Sequence, residues 1–315
     1  MSRLLDALAQ YLATCRALGT KHHYPSTALR DFVAFADQEG ARFVTVDLAL
    51  RWAVRSVGVK DATRARRLGI VRGFAAWLHV TDPRTQVPPH RLLPSGQRRP
   101  TPYIYSEREV ADLMGAAHRL RSATKLRCQT HATLVGLLAA TGLRPGEALA
   151  LDVSDVDLTS GVLSVRESKL GKSRFVPLEP STVAALADYA RHRDAVHPRR
   201  RTAAFLVTGR GDRLRPSATR RTFATLCQAV GLRPRTDCRR VGRGPRLTDL
   251  RHTFATRRLV EWLRAGRDLD RLVPTLATYL GHVGVEETYW YVQAAPELLQ
   301  LVTERRTTDA PGGVR

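Results

Sequence analysis

Six prolines fall between residues 83 and 102 (PRTQVPPHRLLPSGQRRPTP), and no other feature constrains the fold of this chain as tightly. Each proline fixes φ and removes an N–H donor, so neither a helix nor a central strand runs through the stretch. It predicts a semi-rigid, extended linker carrying Arg91, Arg98 and Arg99, and it cuts 315 residues into two pieces of domain size. The expected divisions are a helical domain over 1–82, the linker over 83–102, a second domain over 103–306 and a disordered tail over 307–315.

The first piece reads as helices. Leu4, Leu5, Leu8, Tyr11, Leu12 and Cys15 recur at helical spacing before Gly19, and Leu29, Phe32, Val33 and Ala36 do so before Gly40. A third run over Asp61–His79 sets Arg64, Arg66, Arg67 and Arg72 among Leu68, Ile70, Val71 and Phe74. Its basic face fits either a phosphate backbone or plain solvation.

The second piece opens with a capping box, Ser106 and Glu109, and a helix follows from about Thr130 to Gly142. Two strand signals, Val162–Val165 and Arg174–Val176, flank a short connection at 167–173. Helical patterns return over 182–193 and around 217–230, 248–263, 271–280 and 296–303. The fold class is therefore mainly α in two domains, the second an α+β domain with one small antiparallel sheet.

Charge narrows the partners. The formal net charge is +22, from 51 basic against 29 acidic residues, and only Lys21, Lys60, Lys125, Lys169 and Lys172 are lysines. Such a chain attracts polyanions, nucleic acid ahead of an anionic membrane surface. Residues 191–246 hold sixteen arginines against Asp194, Asp212 and Asp237, an excess favouring phosphate contact over solvation. With 43% hydrophobic and 25% charged residues the chain is globular rather than disordered. No apolar run approaches the ~18 residues of a membrane span, and the amino terminus lacks a secretory pattern. Cys15, Cys128, Cys227 and Cys238 are too dispersed for a zinc site or a disulfide framework, so no metal is expected and the thiols read as reduced, in the cytoplasm.

Three segments carry polar residues that chemistry can use. In Thr141-Gly142-Leu143-Arg144-Pro145-Gly146-Glu147, the glycine permits a turn and Pro145 suits a first helical position, which sets Arg144 at a helix junction with Glu147 able to hold its rotamer. In Leu247-Thr248-Asp249-Leu250-Arg251-His252, Thr248 or Asp249 caps a helix on which Thr248, Arg251 and His252 share a face. Tyr279-Leu280-Gly281-His282 is followed by Thr288-Tyr289-Trp290-Tyr291. Taken singly, each also reads as a surface ion pair or as core packing.

Together, TGLRPGEAL, LRHTFAT and LGH with a tyrosine nine residues after the histidine resemble the tyrosine recombinase (phage integrase) family along the whole chain. The ending TYLGHVGVEETYWYVQAAPELL resembles the transposase-type recombinases of mobile elements. The resemblance implies a helical, SAM-like core-binding domain, a linker and a catalytic domain that clamp double-stranded DNA. It implies a homotetramer on paired sites, accessory recombinases as possible partners, and no cofactor. Strands would exchange through a 3′-phosphotyrosyl link, for integration, excision or transposition.

By the same resemblance Tyr291 is the nucleophile, Arg144 and Arg251 stabilise the phosphate, His282 hydrogen-bonds it, and Lys169 is the general acid with Lys172 as its alternative. Tyr289 is the rival nucleophile; on a helix it lies roughly 200° from Tyr291, so only one of them faces the phosphate. Pro296–Val302 docks either on a neighbouring protomer or on its own domain. Arg64, Arg67, Arg98 and Arg99 are the expected DNA contacts.

One position departs from the family pattern. The second box ordinarily reads His-x-x-Arg, and Thr248 occupies the histidine position. A threonine hydroxyl exchanges hydrogen bonds but does not titrate near neutrality. Either His252 takes over part of that work, or the protein is a catalytically impaired DNA-binding accessory protein on the same fold. A type IB topoisomerase-like relaxer shares the tyrosine chemistry and differs in acting as a monomer.

Overall fold

The computed structural model describes residues 3–18, 23–94, 101–166, 173–234, 244–282 and 284–294. The chain divides into two compact units, Met1–Pro100 and Thr101–Arg315. The first holds α1 (Arg3–Ala17), α2 (His23–Gln38), α3 (Val46–Val54) and α4 (Asp61–His79). Its core is what the apolar spacing dictates: Leu4, Leu8 and Leu12 from α1 and Phe32 from α2 pack with Leu68, Val71 and Phe74 from α4. The spacing does not announce α3, a helix of nine residues, which Thr45 caps through its Oγ1 on the Leu48 N–H at 3.1 Å. It contributes the fully buried Trp52.

The proline-rich stretch behaves differently from an extended linker over its first half. The Gln86 N–H donates to the Val44 carbonyl at 2.8 Å, and Leu93 packs against the first unit's core. Arg72 donates to the carbonyls of Pro88 at 2.8 Å and Pro89 at 2.9 Å. Prolines lack donors but keep acceptors, and Arg72 uses them to fasten the segment down. Arg98 and Arg99 lie outside the described residues, as does the expected tail.

The second unit carries α5 (Glu107–His118), α6 (Leu126–Thr141), α7 (Pro145–Ala150), β1 (Val156–Asp157), β2 (Val162–Val165), β3 (Arg174–Pro177) and α8 (Pro180–Val196). It continues with α9 (Pro216–Ala229), α10 (Leu247–Arg264), α11 (Leu269–Leu280) and α12 (Glu286–Ala294). The strands form an antiparallel sheet in the order β1-β2-β3, with Leu163 opposite Val176 and both buried. The Ser106–Glu109 capping box is present in both directions. Helix α6 begins a turn before the expected Thr130 and is buried around much of its circumference, so no polar face marks its start. Gly142 ends it at φ +61°, where a Cβ would sit 2.5 Å from the Phe254 ring. A smaller core of Ala255, Leu259, Val273, Leu276, Leu280 and Tyr291 joins α10, α11 and α12.

Several arginines of 191–246 serve the fold, which corrects the expectation that this excess as a whole meets phosphate. Arg193 is buried, donating to the Phe205 carbonyl at 2.9 Å and pairing with Asp194, which also takes Arg200. Arg213 pairs with Asp152, and buried Arg233 donates to the Pro245 carbonyl. Cys15, Cys128 and Cys227 are buried; Cys238 lies outside the described residues. Among the described residues no helix is long and apolar enough to cross a membrane.

Candidate active site

The carboxyl end of α11 organises the site. A helix leaves its last carbonyls without partners and carries partial negative charge there. Here three arginines from three other elements fill the gap. Arg174 Nε on β3 donates to the Tyr279 carbonyl at 2.7 Å, and Arg251 Nη2 on α10 to the Leu280 carbonyl at 2.7 Å. Arg144, at the N-cap of α7, donates from Nη2 to the Gly281 carbonyl at 2.9 Å and more weakly from Nη1 to that of Leu280. Gly281 makes the turn possible at φ +67°, and His282 follows it directly.

Arg144 is held on its other side by Glu147, whose carboxylate accepts from the Arg144 N–H at 3.0 Å and from Nη1 at 2.9 Å. Burial works to raise the Glu147 pKa, but the hydrogen bonds and charges of Arg174 and Arg144 prevail and keep the carboxyl below its usual range. Arg251 is buried, with Nη1 on the Gly142 carbonyl at 2.9 Å. Burial first, then the like charge of Arg144, brings its pKa down to about 10, against the opposing pull of Tyr291 beside it. Arg144, Arg174 and Arg251 share the single carboxylate of Glu147, so the pocket keeps an excess of positive charge and gains from receiving an anion.

Tyr291 is buried on α12, with the His252 ring 5.3 Å and the His282 ring 5.9 Å from its own. His282 Nδ1 shares a 2.7 Å hydrogen bond with Thr288 Oγ1, which fixes the ring, and Nε2 stands 3.8 Å from Glu287. Tyr289 points elsewhere: its hydroxyl donates to Asp270 at 3.2 Å, and 38% of the residue is exposed. The structure thus brings Arg144, Glu147, Arg251, His252, His282 and Tyr291 together. Lys169 and Lys172 lie outside the described residues.

Thr248 is exposed in the first turn of α10. Neither it nor Asp249 is the N-cap, contrary to expectation; Arg246 is, and its N–H donates to the Asp249 carboxylate at 2.7 Å. Asp249 sits at the third helical position, where a carboxylate reaches back to the cap N–H. In the first unit, Arg67 lies over the Trp52 ring at 5.0 Å and donates to Ser56 at 2.6 Å, while Arg64 pairs with Asp61 at 3.2 Å. Both guanidiniums are therefore engaged by their own unit.

The sequence profile described as the phage integrase family matches residues 104–297, most of the second unit and every element of this site. The chain belongs to the phage integrase family. A Sinorhizobium fredii protein described as an integrase/recombinase, y4rB, is 41% identical over 309 residues, covering 97% of each chain. Tyrosine recombinase XerC of Mycobacterium sp. (strain JLS) is 31% identical over 319 residues, covering 97% of this chain and 98% of that one. Among solved structures, the Tn1549 transposon integrase in complex with transposon right end DNA shares the fold at a TM-score of 0.64 and 16% identity. That match covers 99% of this chain and 100% of that one. Sequence reasoning about this chain missed Arg174. The nearest signal was its place at the start of the second strand, beside the hairpin connection.

Proposed function

We propose that this member of the phage integrase family is a site-specific tyrosine recombinase that cuts and rejoins DNA, with Tyr291 as its nucleophile. The observation that carries the reading is the convergence of two confined guanidiniums, Arg144 and Arg251, with buried Tyr291, which stands close enough to Arg251 to act on its charge. The Tyr291 oxygen attacks the scissile phosphorus, forming a phosphotyrosyl bond at the 3′ side as the bond to the 5′ oxygen breaks. Arg144 and Arg251 stabilise the charge on the non-bridging oxygens of the transition state, and His282 adds a hydrogen bond there. Lys169 is the proposed donor of the proton to the leaving 5′ oxygen, with Lys172 the alternative, because an ammonium sheds a proton where a guanidinium does not. Attack by a 5′-hydroxyl reverses the step and releases Tyr291.

The substrate is double-stranded DNA and the working assembly a homotetramer on paired sites, with accessory recombinases as further partners and the cytoplasm as the place of action. Moving a mobile element is the proposed role, supported by the likeness to a transposon integrase. Thr248 favours a second reading, an impaired DNA-binding accessory protein. The test is a nicked suicide duplex built from DNA flanking the coding sequence. A recombinase leaves an SDS-resistant adduct on the 3′ phosphate, whereas the accessory reading gives binding without one. Binding should weaken steeply with salt as counterions are released.

A further inference from the structure

Glu147 is shared. Its Oε1 accepts from Arg144 Nη1 at 2.9 Å and Arg174 Nη1 at 3.2 Å, and its Oε2 from the Arg144 N–H at 3.0 Å and Arg174 Nη2 at 2.8 Å. A carboxylate offers about four lone-pair sites, so this one is saturated. Its side chain is 8% exposed and that of Arg174 12%, so water is a poor substitute for either partner. The third bond of Arg174, to the Tyr279 carbonyl, ties the carboxylate to the turn that delivers Gly281 and His282. The fit is close: a Cβ on Gly281 would lie 2.8 Å from Arg174 Nη1.

We propose that Arg174 is a positioning residue for Arg144, occupying half of the Glu147 carboxylate so that the Arg144 guanidinium stays available to the scissile phosphate. The inference rests on the recombinase reading above. Without Arg174, a buried carboxylate has two sites open and Arg144 is the donor beside it. Arg144 then turns onto Glu147 as a bidentate pair, which is the geometry guanidinium and carboxylate favour, and withdraws from the DNA. The loss is one of placement rather than of fold, and a displacement of about 1 Å in such a group costs on the order of 10²-fold in rate.

This mechanism predicts a rescue that a structural role does not. Adduct formation on the nicked suicide duplex is measured for wild type, Arg174→Met, Arg174→Lys, Glu147→Gln and the double variant Arg174→Met/Glu147→Gln. Melting curves and mobility shifts on the same DNA report fold and binding. Arg174→Met should form adduct roughly 30- to 100-fold more slowly while binding DNA within about threefold of wild type. Arg174→Lys should fall between, since one ammonium does not span both the carboxylate and the Tyr279 carbonyl. Glu147→Gln should slow the wild type yet speed Arg174→Met by at least about fivefold, because it removes the charge that captures Arg144.

A double variant as slow as the product of the two single losses, or slower, overturns the proposal. So does Arg174→Met at wild-type rate, which leaves the recombinase reading standing. If Arg174→Met melts too low to assay, Arg174→Lys with and without Glu147→Gln gives the same sign test. A wild type that binds the duplex and never forms an adduct refutes the recombinase reading, and this inference falls with it.

Discussion

Tyr291 lies beside Arg251, and both side chains are buried, so the proposed nucleophile and the proposed phosphate stabiliser are held together before any DNA arrives. A free tyrosine titrates near pH 10, and a neighbouring cation favours the phenolate. Arg251 spends its Nη1 and Nη2 on the Gly142 and Leu280 carbonyls, so its fork fixes the charge beside Tyr291. Arg251→Lys keeps the charge and loses that fork. It should reduce adduct formation by at least about 10²-fold in single-turnover assays, with DNA affinity in mobility shifts nearly unchanged.

Gly281 stands at φ +67° with Arg174 across from it. Gly281→Ala adds both backbone strain and a clash, and should cost about 1–2 kcal/mol in denaturant unfolding. Because the clash falls on the guanidinium that shares Glu147, the adduct rate should drop more than this stability loss explains. Gly231 provides the control, being also at positive φ but with no atom within 4 Å of where an added methyl would sit. Alanine there should cost stability alone.

Position 248 separates the two functional readings. Thr248 is exposed in the first turn of the helix that carries Arg251, so histidine fits there without repacking. Thr248→His supplies a titratable group and should raise the adduct rate by roughly tenfold or more, with a new dependence on pH near 6.5. A rate that stays flat means His252 or water already handles the proton.

His131 makes the acid limb of stability testable. It is buried on α6, and burial first, then the charge of Arg127, lowers its pKa from 6.5 to about 4. Between those values the unfolded chain takes up a proton that the folded chain refuses, so stability falls as pH drops from 6.5 toward 4. The loss should reach about 3 kcal/mol at the lower end. Melting temperatures of His131→Leu across that range should fall less than those of wild type.

The parts of the site that are legible in sequence are those whose local chemistry is self-contained. Gly142 stops a helix and Pro145 starts one, so Arg144 is placed by its neighbours alone. Arg251 and His252 follow from one helical face. The turn of a helix separates Tyr289 from Tyr291 and the family spacing after His282 selects Tyr291, while the Tyr289 hydroxyl reaches Asp270 instead. Arg174 was hidden for the opposite reason. Its partners, Glu147 and the Tyr279 carbonyl, lie 27 and 105 positions away, and nothing in Arg-Phe-Val-Pro marks one arginine among 46. Helix α3 was too short for its period to stand out, and Arg72 and Arg193 show that a basic run does not reveal which guanidiniums the fold will keep for itself.

The most direct test compares Tyr291→Phe with Tyr289→Phe on the nicked suicide duplex. The prediction is an SDS-resistant, protease-sensitive adduct from wild type and Tyr289→Phe and none from Tyr291→Phe, with all three binding the DNA equally. An adduct that survives in Tyr291→Phe, or one that is lost in Tyr289→Phe instead, would contradict the assignment of the nucleophile and the site built around it.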